Sequence, residues 1–224
     1  FRNGVRETFK TELKLKAQAT VDDPQKVRFR VREGKITSTF PGGMRRVTKA
    51  EEGSAIVIKK ENGEWSVEAE DRGEVVELAA AVLKVFGPTT LLPGEKKSVG
   101  DEWSRQIESQ PAIKGKLKIK FVKMEDGLAV IEAEAQLRLS AGPNEKGSVK
   151  TRLLFNPATG WFERYEMTAE VEGKQGQPSR KTEFVIETEV KQDTGNAEDG
   201  KKEPSSEGTN KKDENKGKDA QQKK

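Results

Sequence analysis

Along most of this chain apolar and polar residues alternate one by one, the period of a β-strand with one face buried and the other in water. Phe9, Leu13, Leu15, Ala17, Ala19 and Val21 share one parity, while Glu12, Lys14, Lys16 and Gln18 take the other. Asp22-Asp23-Pro24 interrupts the run. Val27, Phe29 and Val31 resume it, Glu33-Gly34 reads as a turn, and Ile36 and Phe40 carry a further strand to Pro41-Gly42-Gly43. Pairing Arg32 with Lys35 around that turn sets Val31 against Ile36 and Val27 against Phe40, as a half-buried hairpin requires. Asn62-Gly63 predicts a second hairpin between 55–60 and 65–70, because a type I′ turn needs positive φ at both central residues. Closing Glu61 on Glu64 places Ile58 opposite Val67 and Ile56 opposite Ala69.

The period then changes. Over about 71–86, Glu74, Glu77, Ala81 and Lys84 form a narrow polar stripe, and Val75, Val76, Leu78, Val82, Leu83, Val85 and Phe86 cover the rest of a helix. Asp71 and Glu74 match a capping box, and Gly87-Pro88 supplies the stop. So wide an apolar surface predicts a helix enclosed against a curved sheet. After Leu91-Leu92-Pro93-Gly94 a short strand carries Trp103, Arg105 and Ile107, and a second meander follows. Its first hairpin turns at Glu125-Asp126-Gly127. Pairing Met124 with Leu128 leaves a three-residue loop and puts Phe121 opposite Ile131, Ile119 opposite Ala133, Leu117 opposite Ala135, Lys120 opposite Glu132 and Lys118 opposite Glu134. Strands over 149–155, 161–171 and 181–190 complete it.

Five strands before the helix, one at Trp103 and five after predict a mostly β (α+β) fold. An antiparallel sheet of that size curls or splits rather than staying flat. The expected architecture is a large curved antiparallel sheet or open barrel of two meanders with one enclosed helix. It makes a single β-rich domain over 1–190, with 1–70 and 101–190 as candidate duplicated halves. From 191 to 224 the chain has no aromatic or branched aliphatic residue, so it is expected to be a disordered mixed-charge tail.

Composition narrows the chemistry. The chain has no histidine and no cysteine, which removes the commonest general base, thiol nucleophile, disulfide and transition-metal ligands. Lys and Arg (42) exceed Asp and Glu (38), but the signs are interspersed along the sequence. Nucleic acid is therefore not an expected partner, since its binders carry a basic stripe. No apolar run reaches the roughly 20 residues of a membrane-spanning helix. A start at Phe1 rather than Met is consistent with a mature, processed chain or with a trimmed one. No phosphate loop, nucleophile elbow or Ca²⁺ loop is present, so no catalytic residue, metal ligand or cofactor is assigned and the protein is not expected to be an enzyme.

Four features have both a structural and a functional reading. Lys114, Lys116, Lys118 and Lys120 resemble an anion-binding ladder, but the register sets Glu132 and Glu134 against two of them, which makes a solvated ion-paired face. Trp65, Trp103 and Trp161 suggest a stacking platform, yet Trp65 and Trp161 share the parity of apolar neighbours and read as core. Asp101 is the best single carboxylate for acid–base work, but it follows Gly100 and suits a turn cap. The helix either completes the core or lines an apolar cavity bordered by Val82, Leu83, Phe86, Leu91, Leu92 and Trp103.

Leu92-Pro93, Lys97, Val99-Gly100-Asp101 and Trp103 resemble a stretch of uncharacterised secreted bacterial domains, in which LP and then K-x-V-G-D-x-W separates two β-rich halves. The resemblance covers a dozen residues, implies an extracytoplasmic (periplasmic or secreted) bacterial location, and transfers no catalytic residue. The layout is also similar to the open barrels of bacterial lipoprotein carriers, a similarity of architecture that does not fix function. Together these lead to the expectation of a non-catalytic binding domain for a lipid, lipoprotein or other apolar ligand. The alternative is a scaffolding protein of the cell envelope that binds protein partners, with a carboxylate-based hydrolase further behind.

Overall fold

The computed structural model describes residues 8–23, 25–62, 64–109, 113–139, 145–173 and 178–191. Beyond Lys191, the tail expected over 191–224 lies outside the described residues. Among the described residues eleven strands and two helices follow one another: β1 (Thr8–Asp23), β2 (Lys26–Thr39), β3 (Arg45–Lys49), β4 (Ala55–Glu61), β5 (Glu64–Ala69), α1 (Glu74–Phe86), α2 (Pro88–Leu91), β6 (Glu102–Ser109), β7 (Ile113–Glu125), β8 (Leu128–Leu139), β9 (Glu145–Asn156), β10 (Trp161–Val171) and β11 (Ser179–Lys191).

All strands belong to one sheet, ordered β5-β4-β2-β1-β11-β10-β9-β8-β7-β6, with β3 added beside β2. Every ladder is antiparallel except that of β1 with β11, which runs parallel from Thr8↔Ser179 to Thr20↔Lys191. That pairing joins the two meanders at the centre. It also leaves β5 and β6, consecutive in the chain, at opposite ends of the sheet. Among the described residues no ladder joins those two ends, so the sheet stays open. The helical segment is the covalent link between them.

The alternation read from sequence becomes two faces. One register row runs Trp103, Ile119, Ala133, Thr151, Met167, Phe184, Leu13, Ile36 across eight strands. From Ile119 onward these residues are buried, and all but Thr151 belong to a single apolar cluster that also holds α1. The opposite parity is mostly charged and exposed.

Three local expectations are corrected. Glu33-Gly34 is not a turn: β2 runs unbroken from Lys26 to Thr39 against β1, and absorbs the irregularity as a bulge between the pairs Lys16↔Glu33 and Ala17↔Val31. Gly34 is needed for space instead, because a Cβ there would stand 2.9 Å from the Ala50 Cβ and 3.3 Å from Val75 Cγ1. The strand β3 was invisible in the pattern because Arg-Arg-Val-Thr-Lys has no buried parity of its own. The count of five strands before the helix thus holds only because one split strand offsets one missed strand. In the β7–β8 hairpin the five pairs from Phe121↔Ile131 to Leu117↔Ala135 and Lys118↔Glu134 are present, but the expected closing pair of Met124 with Leu128 is not. Leu128 pairs with Glu125 and Met124 with Ala129, the turn is the two-residue Asp126-Gly127 with both φ positive (51° and 82°), and the bulge sits between Phe121 and Lys123. The Asn62 hairpin has the predicted register, with Asn62 at φ 53°.

Candidate functional site

The helical segment is where polar and apolar design meet. The helix α1 starts at Glu74, three residues later than expected, with Gly73 at its N-cap position. Asp71 does not cap it; its Oδ2 accepts a hydrogen bond from the Ala55 amide at 2.8 Å, at the start of β4. The Gly73 amide is met by Glu77 Oε1 at 3.3 Å. Val75, Val76, Ala79, Ala80, Leu83 and Phe86 face the sheet and are buried. Leu78, Val82 and Val85 flank them half-buried, and the polar stripe Glu74, Glu77, Ala81 and Lys84 is exposed as its spacing predicts.

At the join with α2, Gly87 has an extended backbone (φ −77°), so its role is steric rather than conformational. A Cβ there would lie 2.2 Å from the Leu83 carbonyl oxygen, which accepts the Gly87 amide at 2.9 Å. Two side chains of the sheet hold this segment by its carbonyls. The buried Tyr165 hydroxyl on β10 donates to the Phe86 oxygen at 2.9 Å, and Trp103 Nε1 on β6 donates to the Leu91 oxygen at 3.2 Å. Burial pushes the Tyr165 hydroxyl well above its ordinary ionisation range, so it remains a donor. The α1–α2 segment therefore touches β5 at one end of the sheet and β6 at the other.

All six residues expected to line the site join the same apolar cluster. Leu83, Phe86 and Leu91 are buried, and Val82, Leu92 and Trp103 are half-buried around them. Sequence reasoning missed the aromatic floor beneath: Phe29, Trp161, Phe162, Tyr165 and Phe184, with successive ring centroids 5.4 to 6.4 Å apart. Alternation hides this group because Trp161 and Phe162 are adjacent. A bulge between Phe162 and Arg164 turns both rings inward, and the Phe162 carbonyl accepts from the Thr188 hydroxyl. The available signal was the chain's single tyrosine on an apolar parity. Within this interior Trp161 Nε1 and Thr151 Oγ1 are buried, and neither has a hydrogen-bond partner among the described residues. Trp161 is core as expected. Trp65, read as core, is instead 37% exposed, with the Lys60 ammonium 5.7 Å from its ring centroid, because it lies at the hairpin end of β5, ahead of the buried Val67.

On the opposite face a trough of about 910 Å³ crosses β6–β10, lined by Lys118, Lys120, Glu132, Glu134, Lys150 and Arg152 among others. Lys120 faces Glu132 in register but closes its ion pair with Glu102 at 2.9 Å, which holds the Glu102 carboxyl below its ordinary range. Asp101 closes a turn: its Oδ2 accepts the Ser98 amide at 2.9 Å, next to Gly100 at φ +95°. Among the described residues no helix is long and apolar enough to cross a membrane. No family model matches the chain, and neither a curated protein nor a solved structure matches it.

Proposed function

We propose that the protein is a non-catalytic, extracytoplasmic binding domain that holds an apolar ligand, or the acyl group of a lipidated partner, between α1–α2 and the apolar face of the sheet. The observation that carries this reading is how that face is covered between the two ends of the sheet. Strand ladders would seal it with a row of backbone hydrogen bonds, but here a helical segment lies over it through side-chain contact. Tyr165 and Trp103 add two hydrogen bonds, each worth about 0.5–1.5 kcal/mol net. Lifting such a segment breaks no strand pairing.

The unpartnered Trp161 Nε1 supports the same reading, since an indole N–H buried among aromatic rings suits the carbonyl of an ester or amide head of an acyl chain. The extracytoplasmic location rests on the resemblance at 92–103 to secreted bacterial domains.

Native mass spectrometry of the protein purified from its own host, followed by organic extraction and lipid analysis, tests the proposal. A co-purifying acyl lipid near one-to-one is the expected result. Tyr165→Phe, which frees one carbonyl grip while keeping the ring, should speed uptake of a fluorescent fatty acid. A ligand-free mass together with no uptake by either form would overturn the proposal in favour of an envelope scaffold with α1 as ordinary core.

A further inference from the structure

The register exposes a charge pattern on the outer face that no segment of the sequence contains. One row crosses nine strands in the order Glu102, Lys120, Glu132, Arg152, Glu166, Val185, Lys14, Lys35, Lys49. From β6 to β10 the sign alternates at every step. On β1, β2 and β3 it stops alternating, and three exposed lysines stand side by side at the roughly 5 Å spacing of paired strands.

Like charges directly opposite weaken a strand pair. None of the three lysines makes an ion pair among the described residues. The nearby carboxylates are already engaged: Glu12 with Lys10 at 2.6 Å, Glu33 with Lys16 at 3.8 Å, and Glu187 with Arg164 at 2.7 Å. On the same face β3 adds Arg45 and the half-exposed Val47 (50%), and the turn before it presents Met44 (66% exposed). The other face of β3 is tied down, with Arg46 and Thr48 both reaching Glu74 at the start of α1, at 3.1 and 3.2 Å.

We propose that this corner, formed by Lys14, Lys35, Lys49 and Arg45 beside Met44 and Val47, docks on an anionic lipid bilayer. A cationic row complements lipid phosphates, and apolar side chains at a hairpin tip enter the boundary between headgroups and acyl chains. A soluble polyanion would use the cations alone. Met44 and Val47 are what favour a bilayer.

Flotation of the full chain with phosphatidylcholine vesicles, with and without phosphatidylglycerol, tests this. The protein should float only with the anionic vesicles, and more weakly as salt is raised. Each of Lys14→Gln, Lys35→Gln and Lys49→Gln should lower partitioning about fivefold, taking about 1 kcal/mol per surface cation, and the triple variant Lys14→Gln/Lys35→Gln/Lys49→Gln should lower it further than any single one. Lys116→Gln/Lys118→Gln/Lys150→Gln, which makes the same net charge change as that triple variant but within the trough, should leave it within a factor of two or so of the parent. Met44→Ser should weaken vesicle binding and leave binding to duplex DNA unchanged; the circular dichroism spectrum reports folding of each variant. Equal losses from both triple variants would overturn the proposal, as would vesicle binding indifferent to Met44 and matched by DNA.

Discussion

A single absent methyl decides how β1, β2, β3 and α1 fit together. Gly34 sits opposite Leu15, accepts the Ala50 amide on its carbonyl oxygen at 2.8 Å, and leaves the space that Ala50 and Val75 fill. Gly34→Val is expected to destabilise the protein by about 1–3 kcal/mol through overpacking, with Gly34→Ala costing less. Urea denaturation followed by tryptophan fluorescence measures both, and an unchanged midpoint would mean that Ala50 and Val75 yield freely. At this scale the sequence was informative where a side chain's parity decides its environment, as for Trp161. It was silent where the deciding fact is a neighbour's position, as for Gly34 and Tyr165. The glycine looked like a turn because turns are the commonest reason for Glu-Gly between apolar runs.

At the scale of elements, hydrophobic period located ten of the eleven strands' apolar stretches and the helix, and the β7–β8 register could be computed in advance. Ends were harder, because several local interactions compete for one polar residue. Asp71 is placed to cap α1, yet the Ala55 amide claims it, and so Asp71 closes the β4–β5 hairpin instead. Asp71→Ala should therefore cost about 1–3 kcal/mol, the range for leaving a buried donor unpaired. It should speed hydrogen exchange at the Ala55 amide while the helical signal near 222 nm stays unchanged. Loss of that signal would restore Asp71 to the capping role. The strand β3 shows the converse: it forms because β2 offers it a ladder from Lys35↔Lys49 to Thr39↔Arg45, not because its own residues alternate.

Over the whole molecule, the parallel β1–β11 seam is carried by apolar pairs such as Leu13↔Phe184 and Leu15↔Ile186, and it is braced outside by Lys10, which contacts Glu12 at 2.6 Å and Glu183 at 3.0 Å. Hydrogen bonding to Lys10 holds both carboxyls below their ordinary value of 4.5. Groups so depressed stabilise the fold above that value, and their contribution is lost as pH falls through the lowered folded-state values. The melting temperature is thus expected to be flat from neutral pH down to about 4.5 and to fall below it. Lys10→Met should shallow that acid slope, and because the groups are partly exposed, added salt should shallow it too. A slope indifferent to Lys10 would assign the acid sensitivity elsewhere.

Composition and period by themselves determined that this chain is mostly β with one enclosed helix, because burial on one face of a strand leaves a period of two that survives any topology. They also placed Val82, Leu83 and Phe86 on the apolar surface of that helix. Tertiary structure alone decided that β1 lies parallel to β11, that β5 and β6 end on opposite sides of the sheet with α1–α2 between them, that the aromatic floor gathers under Phe86, and that Lys14, Lys35 and Lys49 fall in one row. Each of these joins residues far apart in the chain. Their register is set by the pairing of whole strands, which local sequence does not encode.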